Sequence, residues 1–208
     1  MSKSDKIKPF NPLDKKNLGL SVADALLMGN VNNLPPYQSF VGAGIYAIYY
    51  SGPFPKYKEI AKRNKGGEYL LPIYVGKAVP AGARKGSTFD EYDGTALFNR
   101  LKEHADSIKQ VPNLKISDFY CRYLVVEDIW IPLSETLLIN MFAPLWNKYV
   151  DGFGNHDPGS GRHNSKKSPW DIIHPGRKWI DNLTGISIPI EEIYTQIEKY
   201  NKELSDIK

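Results

Sequence analysis

Apolar positions recur along this chain with two periods, one typical of β-strands and the other of α-helices. Three runs rich in β-branched and aromatic residues are predicted strands: 44–50 (GIYAIYY), 70–76 (LLPIYVG) and 117–127 (SDFYCRYLVVE). Helical spacing covers 95–108, with Thr95 as the expected cap, and a second segment that Pro132 begins and Pro144 ends. The order strand, strand, helix, strand, helix predicts an α+β fold with a small central β-sheet flanked by helices.

The part of the chain before the first strand has its own pattern. Residues 1–39 are predicted to form a Lys-rich arm followed by a short helix over 17–29. Ser21 is the expected N-terminal cap of this helix, and Gly29 its expected end. We therefore treat this region as an appendage to the sheet.

Two stretches with weak periodicity interrupt the predicted core, which spans 40–150. Residues 51–70 are a basic insertion, in which the run 56–69 holds five Lys or Arg against two Glu. Residues 79–94 are a long Gly-rich loop of the kind that is usually functional or disordered. The remainder, 151–208, is predicted to be a loop-rich C-terminal lobe. It ends in a helix whose apolar stripe should pack on the body or on a second subunit.

Composition adds broad limits to this picture. Hydrophobic residues make up 41% and charged residues 24% of the 208 residues, which is enough apolar surface for a folded core. The net charge of +4 permits a polyanionic partner without requiring one. Cys121 is the only cysteine, so we expect neither an intrachain disulfide nor a zinc site built on cysteines. The N-terminus is polar and no apolar run has membrane-spanning length, so we expect a soluble cytoplasmic protein.

Three polar residues downstream of the second strand suit phosphate chemistry. Arg100 and His104 are four positions apart and so share one face of the predicted helix. Arg can hold a phosphate by paired hydrogen bonds, and His can exchange a proton near neutral pH. Glu135 is a hard oxygen donor of the kind that Mg²⁺ prefers. Each also has an ordinary explanation, namely a solvated helix face for the first two and a first-turn acid favoured by the helix dipole for Glu135.

Two tyrosines lie within the strand patterns, Tyr46 in the first and Tyr74 in the second. Tyrosines in strands usually belong to the core, and a phenol with a pKa near 10 is a poor base unaided. Hydrogen-bonded to His104, however, Tyr46 could relay the proton of an attacking water. Lys77 either contacts a phosphate or only flanks the strand. Asn147 either fixes local geometry or is a plain turn residue.

The order of these residues resembles that of the GIY-YIG nuclease family over roughly residues 40 to 150. The chain has Gly-Ile-Tyr at 44–46, Tyr-Val-Gly at 74–76, then R-x3-H, and E-x3-I-x2-F-x-P-x2-N from Glu135 to Asn147. The two tyrosine motifs lie further apart than in the family, and the insertion at 51–70 fills the difference. The role of that insertion stays open.

The resemblance implies a catalytic set with Glu135 as the metal ligand. Its members are Tyr46, Tyr74, Arg100, His104, Glu135 and Asn147. In the family the first tyrosine is the proposed general base, while the residues themselves leave Tyr46 and His104 both open for that role.

The histidine one turn after the arginine, and the segment GFGNHDPGSGR…SPWDIIHPGRKW, resemble the type II restriction endonuclease branch of this family. That branch acts as homodimers on palindromic, G/C-rich double-stranded DNA. The resemblance implies Mg²⁺ as cofactor, with Mn²⁺ as a substitute, and products with 5′-phosphate and 3′-hydroxyl ends. It also implies a cognate DNA methyltransferase that protects the host.

Residues that contact DNA are expected outside the small catalytic core, chiefly in the C-terminal lobe, which is also the expected dimerisation region. The candidates, all able to bind phosphates or base edges, are Lys77, Arg84, Lys85, Arg162, His163, Asn164, Lys166 and Lys167. The cations of the basic insertion are better suited to phosphates than to bases, and any one of these candidates can equally be a plain solvated charge. Three histidines in the lobe have irregular spacing, so a zinc site is not expected there.

Three other interpretations stay open. A homing or structure-specific repair nuclease would share the core but usually carries long, separable binding modules. A DNA-binding protein on an inactive nuclease scaffold would bind duplex without cutting it. An α+β protein with coincidental motifs is the least specific alternative. The sequence names neither the recognition site nor the cut position.

Overall fold

The computed structural model describes residue 11 and residues 13–79 and 94–206. Within these residues the strands are β1 (Asn32–Asn33), β2 (Gly44–Tyr50), β3 (Tyr74–Ala78) and β4 (Phe119–Val125). The α-helices are α1 (Lys15–Met28), α2 (Lys58–Arg63), α3 (Ala96–Lys109), α4 (Ile131–Phe142), α5 (Leu145–Lys148), α6 (Pro169–Ile173) and α7 (Ile190–Asp206). The predicted α+β class is therefore confirmed. Along this described part of the chain, no helix is both long and apolar enough to cross a membrane.

The sheet is antiparallel, in the order β1-β4-β2-β3. Strand β2 lies in the interior of the sheet, and all seven of its residues are buried. Its register places Tyr46 opposite Gly76 on β3 and opposite Tyr123 on β4. The GIYAIYY run is apolar throughout because both faces of this strand are covered.

The two faces of the sheet carry separate apolar cores. Tyr46, Ile48 and Tyr50 face one core, which also contains the buried residues of α3, α5, α6 and α7. The alternate residues of β2 face a second core built from α1 and α4. Helix α7 buries Ile193 and Ile197, so its stripe packs on the body of the same chain, which was one of the two expectations. The C-terminal segment thus shares a core with the sheet.

The predicted boundaries of two strands were wrong. Strand β3 starts at Tyr74 rather than at 70, because the side chain of Asn64 hydrogen-bonds both the N–H and the C=O of Leu71 and holds that stretch in a turn. It then continues past Gly76 to Ala78, because β2 extends far enough to pair with it. Strand β4 begins two residues later than expected, because a 3₁₀ turn occupies Ile116–Asp118.

Helix caps also differ from the sequence prediction. Helix α1 begins at Lys15, and Asp14 caps it by accepting a 2.8 Å hydrogen bond from the Lys16 N–H. Ser21, the expected cap, therefore lies inside the helix, whereas Gly29 ends it as predicted. Thr95 occupies the cap position of α3, but its hydroxyl accepts from the side chain of Asn99 instead of from the backbone.

The basic insertion is a structural element rather than a free cationic loop. Tyr57 and Ile60 on one side of it are buried in the core. On its outer side Lys56 forms a 2.8 Å ion pair with Glu198 of α7, and its ammonium lies 4.5 Å from the ring centre of Tyr194. Lys56 is thus engaged by the protein's own final helix, and its contact with phosphates stays a prediction. The apolar residues at helical spacing within the insertion explain why it packs.

Candidate active site

Three rings from three different elements meet on the α3 side of the sheet. Tyr46 of β2 and His104 of α3 are both almost fully buried, and the Tyr46 Oη lies 2.6 Å from the His104 Nε2. Tyr74 of β3 completes the group, with its ring centre 5.2 Å from that of His104 and 6.2 Å from that of Tyr46. The hydrogen bond between Tyr46 and His104 that a proton relay requires is therefore present.

Gly76 makes room for this arrangement. A Cβ atom at this position would lie 2.3 Å from the Tyr46 Oη and 2.5 Å from its Cζ, so the phenol packs directly on the β3 backbone. Since the two residues are partners across the β2–β3 ladder, any larger side chain here would displace the phenol. The glycine of the second motif thus sets the position of the tyrosine of the first.

Burial fixes the protonation states of this pair. It raises the pKa of Tyr46 well above 10, and the nearby Tyr74 adds to the shift while Arg100 opposes it. It also lowers the pKa of His104 well below 6.5, and the charge of Arg100 adds to that shift. At neutral pH the phenol is therefore protonated and the imidazole neutral, so the Tyr46 hydroxyl donates its hydrogen bond to the imidazole nitrogen.

Arg100 lies one turn before His104 on α3 and borders the three rings. Its Nη1 donates to Glu103 Oε2 at 2.8 Å and to His156 Nε2 at 2.5 Å. Its Nη2 donates to the Gly154 carbonyl at 2.8 Å. The guanidinium is thus held in a defined orientation next to Tyr46.

Glu135 and Lys77 form a 2.8 Å ion pair between α4 and β3. The side chain of Glu135 is 20% exposed, and its charge raises the pKa of both Tyr46 and Tyr74, so it lies within electrostatic range of the rings. Lys77 thus contacts the candidate metal ligand itself, an option not considered from sequence.

The donor chemistry at Glu135 fits a hard divalent cation. Mg²⁺ commonly binds one or two carboxylates and completes its coordination with water and phosphate oxygens. Glu135 already holds one cationic group, the Lys77 ammonium, and is partly open to solvent. Among the residues that the structure describes, no three His, Cys, Asp or Glu side chains gather as a metal cage, which is the arrangement that structural zinc requires.

Asn147 holds strand β3 in place from its outer side. Its Oδ1 accepts from the Val75 N–H and its Nδ2 donates to the Val75 carbonyl, both at 2.8 Å. Val75 lies between Tyr74 and Gly76, so this contact fixes the backbone that carries both. Of the two interpretations of Asn147, the structure therefore shows the geometric one.

The sequence prediction missed a segment that closes the site, residues 152–156 (GFGNH). Phe153 stacks on His104 with ring centres 4.5 Å apart. Gly154 packs so closely on Tyr74 that a Cβ there would lie 2.6 Å from its Oη. His156 contacts Arg100 directly. An aromatic residue between two glycines was the available signal, but nothing in the sequence ties it to a histidine about fifty positions earlier.

A cleft of about 450 Å³ opens beside these groups. Its lining combines two cations with a carboxylate, a histidine and three apolar residues, and consists of Lys77, Ala78, Val79, Ala96, Arg100, Glu103 and His156. A second cavity of about 290 Å³ shares His156 with it and is lined by Arg162 and Lys166 among others. The two cavities are thus neighbours.

The structure brings three of the predicted DNA contacts to these cavities, Lys77 to the first and Arg162 and Lys166 to the second. Three other candidates lie beside Arg162 and Lys166 in the sequence, namely His163, Asn164 and Lys167. The backbone carbonyl of His163 accepts a hydrogen bond from the Thr184 N–H. Arg84 and Lys85 lie outside the described residues.

Comparison with known families gives a match over most of the chain. Residues 38–201 match the family model described as the Eco29kI GIY-YIG domain, a span that includes all six residues of the candidate catalytic set. No curated protein sequence matches the chain. Because the match covers most of the chain, the protein belongs to this family of type II restriction endonucleases, which are site-specific deoxyribonucleases.

Proposed function

We propose that the protein cuts both strands of palindromic, G/C-rich duplex DNA in a reaction that depends on Mg²⁺, with Mn²⁺ as a substitute. Products carry 5′-phosphate and 3′-hydroxyl ends. The observation that carries the proposal is the buried Tyr46–His104 hydrogen bond beside Arg100 and Glu135. A proton acceptor, a phosphate-binding cation and a hard metal ligand thus lie within electrostatic range of one another.

The proton of the attacking water passes through both members of the buried pair. Because the pKa of Tyr46 is raised, the phenol is protonated at rest and cannot act as a base alone. It accepts the proton of the water as it gives its own proton to the His104 Nε2, which is neutral and within 2.6 Å. Such acid–base assistance typically contributes about 10²–10⁴-fold to a rate.

Arg100 binds the scissile phosphate. Two guanidinium nitrogens in a fixed fork suit two phosphate oxygens, and charge-assisted hydrogen bonds strengthen as negative charge grows in the transition state. Its hydrogen bonds to Gly154 and Glu103 orient it before DNA arrives, which limits the reorganisation needed on binding. Tyr74, at the edge of the same ring cluster, orients the phosphate.

Glu135 would hold the cation, which when bound supplies positive charge at the scissile phosphate. Lys77 forms an ion pair with the same carboxylate, and once the cation is bound there the Lys77 ammonium would be free to contact the DNA backbone. Asn147 keeps β3, and with it Tyr74, in register.

The C-terminal segment supplies DNA contacts. Arg162 and Lys166 line the cavity next to the catalytic cleft, which suits them to phosphates on either side of the cut. The other proposed contacts are Arg84, Lys85, His163, Asn164 and Lys167. Arg and Asn side chains among them are the types that read guanine and adenine.

Two copies of the chain act together. Each chain carries one candidate catalytic centre, so a double-strand cut in one encounter needs two, and a palindrome mirrors a two-fold protein dimer. A cell that makes the enzyme also needs a methyltransferase that protects its own sites.

The test is cleavage of a sequenced plasmid by the native protein and by Glu135→Gln, in Mg²⁺, Mn²⁺ and EDTA. We expect discrete fragments from the native protein in either metal, with ends that map to one palindrome, and a loss of at least about 1,000-fold for the variant. Duplex binding should be retained in the variant. Binding without cleavage by the native protein would favour the inactive-scaffold alternative, and nicks at branched structures would favour a repair nuclease.

A further inference from the structure

A buried arginine, Arg177, forms hydrogen bonds with the backbone of the segment 152–156. Arg177 is 2% exposed, and its Nη2 donates to the Gly152 carbonyl at 2.9 Å. Its Nη1 donates to the carbonyls of Phe153 and Asn155, at 3.2 and 3.1 Å. Three backbone carbonyls of one short segment thus converge on a single guanidinium.

The remaining donors of Arg177 are engaged by Asp171 of α6. Its Nε and Nη2 lie 2.7 Å from the two carboxylate oxygens, in a pair that is closed to solvent. The guanidinium also lies 4.7 Å from the ring centre of Trp170 and 4.8 Å from that of Trp179. An arginine has five N–H donors, and here five acceptors match them, which fixes the group in one orientation.

The other side of the segment touches the catalytic groups. Gly154, whose neighbours on both sides accept from Arg177, presents its own carbonyl to Arg100 at 2.8 Å. Phe153 stacks on His104. A shift of the segment would therefore move the phosphate-binding guanidinium and the proton acceptor together.

We propose that Arg177 is a positioning residue of the nuclease reaction: by fixing the carbonyls of Gly152, Phe153 and Asn155 it sets the placement of Arg100 and His104. The proposal rests on the roles given to Arg100 and His104 in the proposed function. Misplacement of reacting groups by about 1 Å costs on the order of 100-fold in rate, without requiring the loss of any catalytic side chain.

Arg122 offers a matched control on the opposite face of the sheet. Its guanidinium also donates to backbone carbonyls, those of Gly29 at 3.1 Å and Tyr69 at 2.9 Å, and lies 5.1 Å from the Tyr49 ring centre. It anchors chain segments as Arg177 does, but those segments do not belong to the catalytic cleft. A purely structural role predicts a loss of stability for either arginine, larger where the buried Asp171 loses its partner Arg177, and no selective loss of kcat in Arg177→Met.

The experiment compares Arg177→Met and Arg122→Met for melting temperature, duplex dissociation constant and kcat, well below the melting temperatures. We expect both to melt earlier and both to bind duplex as the native protein does. Only Arg177→Met should lose kcat, by about 100-fold. An unchanged kcat in Arg177→Met, or an equal loss in Arg122→Met, would overturn the proposal.

Gly154→Ala keeps the test decisive if Arg177→Met does not fold. The added Cβ would collide with the Tyr74 Oη and crowd Arg100 while leaving every contact of Arg177 intact. A folded Gly154→Ala should lose kcat with duplex binding retained, and full kcat would refute positioning by this segment. The native protein and Glu135→Gln are run alongside, so a native protein that never cuts contradicts the proposed function itself rather than the role of Arg177.

Discussion

Two buried tyrosine–histidine pairs in the described part of the chain are alike in geometry. Tyr46 and His104 are joined by a 2.6 Å hydrogen bond, and so are Tyr57 and His174. The exposures are 1% and 2% in the first pair, and both are 0% in the second. Neither burial nor hydrogen bonding therefore distinguishes a candidate acid–base pair from a structural one.

The surroundings of the two pairs differ. His174 donates from Nδ1 to Asn113 at 2.9 Å and packs against Trp146 and Trp170, and burial alone lowers its pKa to about 3. The charge of Arg100 acts on the pKa of both members of the other pair, and that of Glu135 acts on the pKa of Tyr46. The difference teaches that nearby charged groups, rather than the pair itself, single out the candidate catalytic site.

The strongest way to break this comparison is to remove each phenol hydroxyl in turn. Tyr46→Phe and Tyr57→Phe both leave a buried histidine nitrogen without its donor, so each should destabilise the protein by about 1–3 kcal/mol. Only Tyr46→Phe should lose kcat, by about 10²–10⁴-fold. Urea unfolding and single-turnover plasmid cleavage measure the two effects. Equal kcat values in both variants would remove the acid–base role from Tyr46.

A second test concerns what the two pairs should share. Burial depresses the pKa of both His104 and His174. Below pH 6.5 these histidines therefore bind protons in the unfolded chain but stay neutral in the folded chain. The contribution of each neutral histidine to the free energy of unfolding is complete above pH 6.5, and it is lost as the pH falls toward the folded-state pKa. The loss amounts to at most about 1.4 kcal/mol per pH unit for each histidine.

Unfolding by urea at pH 6.5 and pH 5.5 would measure this slope. His104→Gln and His174→Gln should each reduce it by a similar amount, whereas only the first should reduce cleavage. If His174→Gln left the pH dependence unchanged, its imidazole would not be the neutral, buried group that the structure shows.

The smallest expected effect concerns the charges that set the first pair apart. If Glu135 holds the divalent cation as proposed, Lys77 competes with that cation for the carboxylate, so Lys77→Gln should lower the Mg²⁺ concentration for half-maximal cleavage. A partly exposed ion pair contributes on the order of 0.5 kcal/mol, which corresponds to roughly a twofold shift. Lys56→Gln, which breaks an ion pair of the same 2.8 Å length with Glu198, is the control and should leave the Mg²⁺ midpoint unchanged.

Much of the fold could be predicted because the signals were local. The GIYAIYY run reports a strand buried on both faces, and the spacing of Leu97, Leu101 and Ile108 reports the buried side of α3. Boundaries failed where a hydrogen-bonding side chain intervened, as Asn64 does at the start of β3. The packing of the insertion was not predicted, because its charges are more numerous than the few apolar residues that anchor it.

The residues of the candidate site also fall into those that the sequence could predict and those that it could not. Tyr46, Arg100, His104 and Glu135 could be proposed because each lies in a short motif whose spacing carries meaning. Gly154, His156 and Arg177 could not, because their roles arise from contacts across more than twenty positions that only the folded chain creates. No pattern in the sequence indicates that five donors of one arginine will find five acceptors.

The hydrogen bonds of Asn147 have a consequence for how copies of this protein can associate. Strand β3 lies at the border of the sheet, where exposed backbone groups invite pairing with a strand from another molecule. The side-chain amide of Asn147 hydrogen-bonds both outward backbone groups of Val75. The backbone N–H of Trp146 donates to the carbonyl of Ile73 at 2.9 Å. Over this stretch the sheet cannot be continued into a neighbouring chain, so the residue that keeps the site in register also guards the protein against edge-to-edge aggregation.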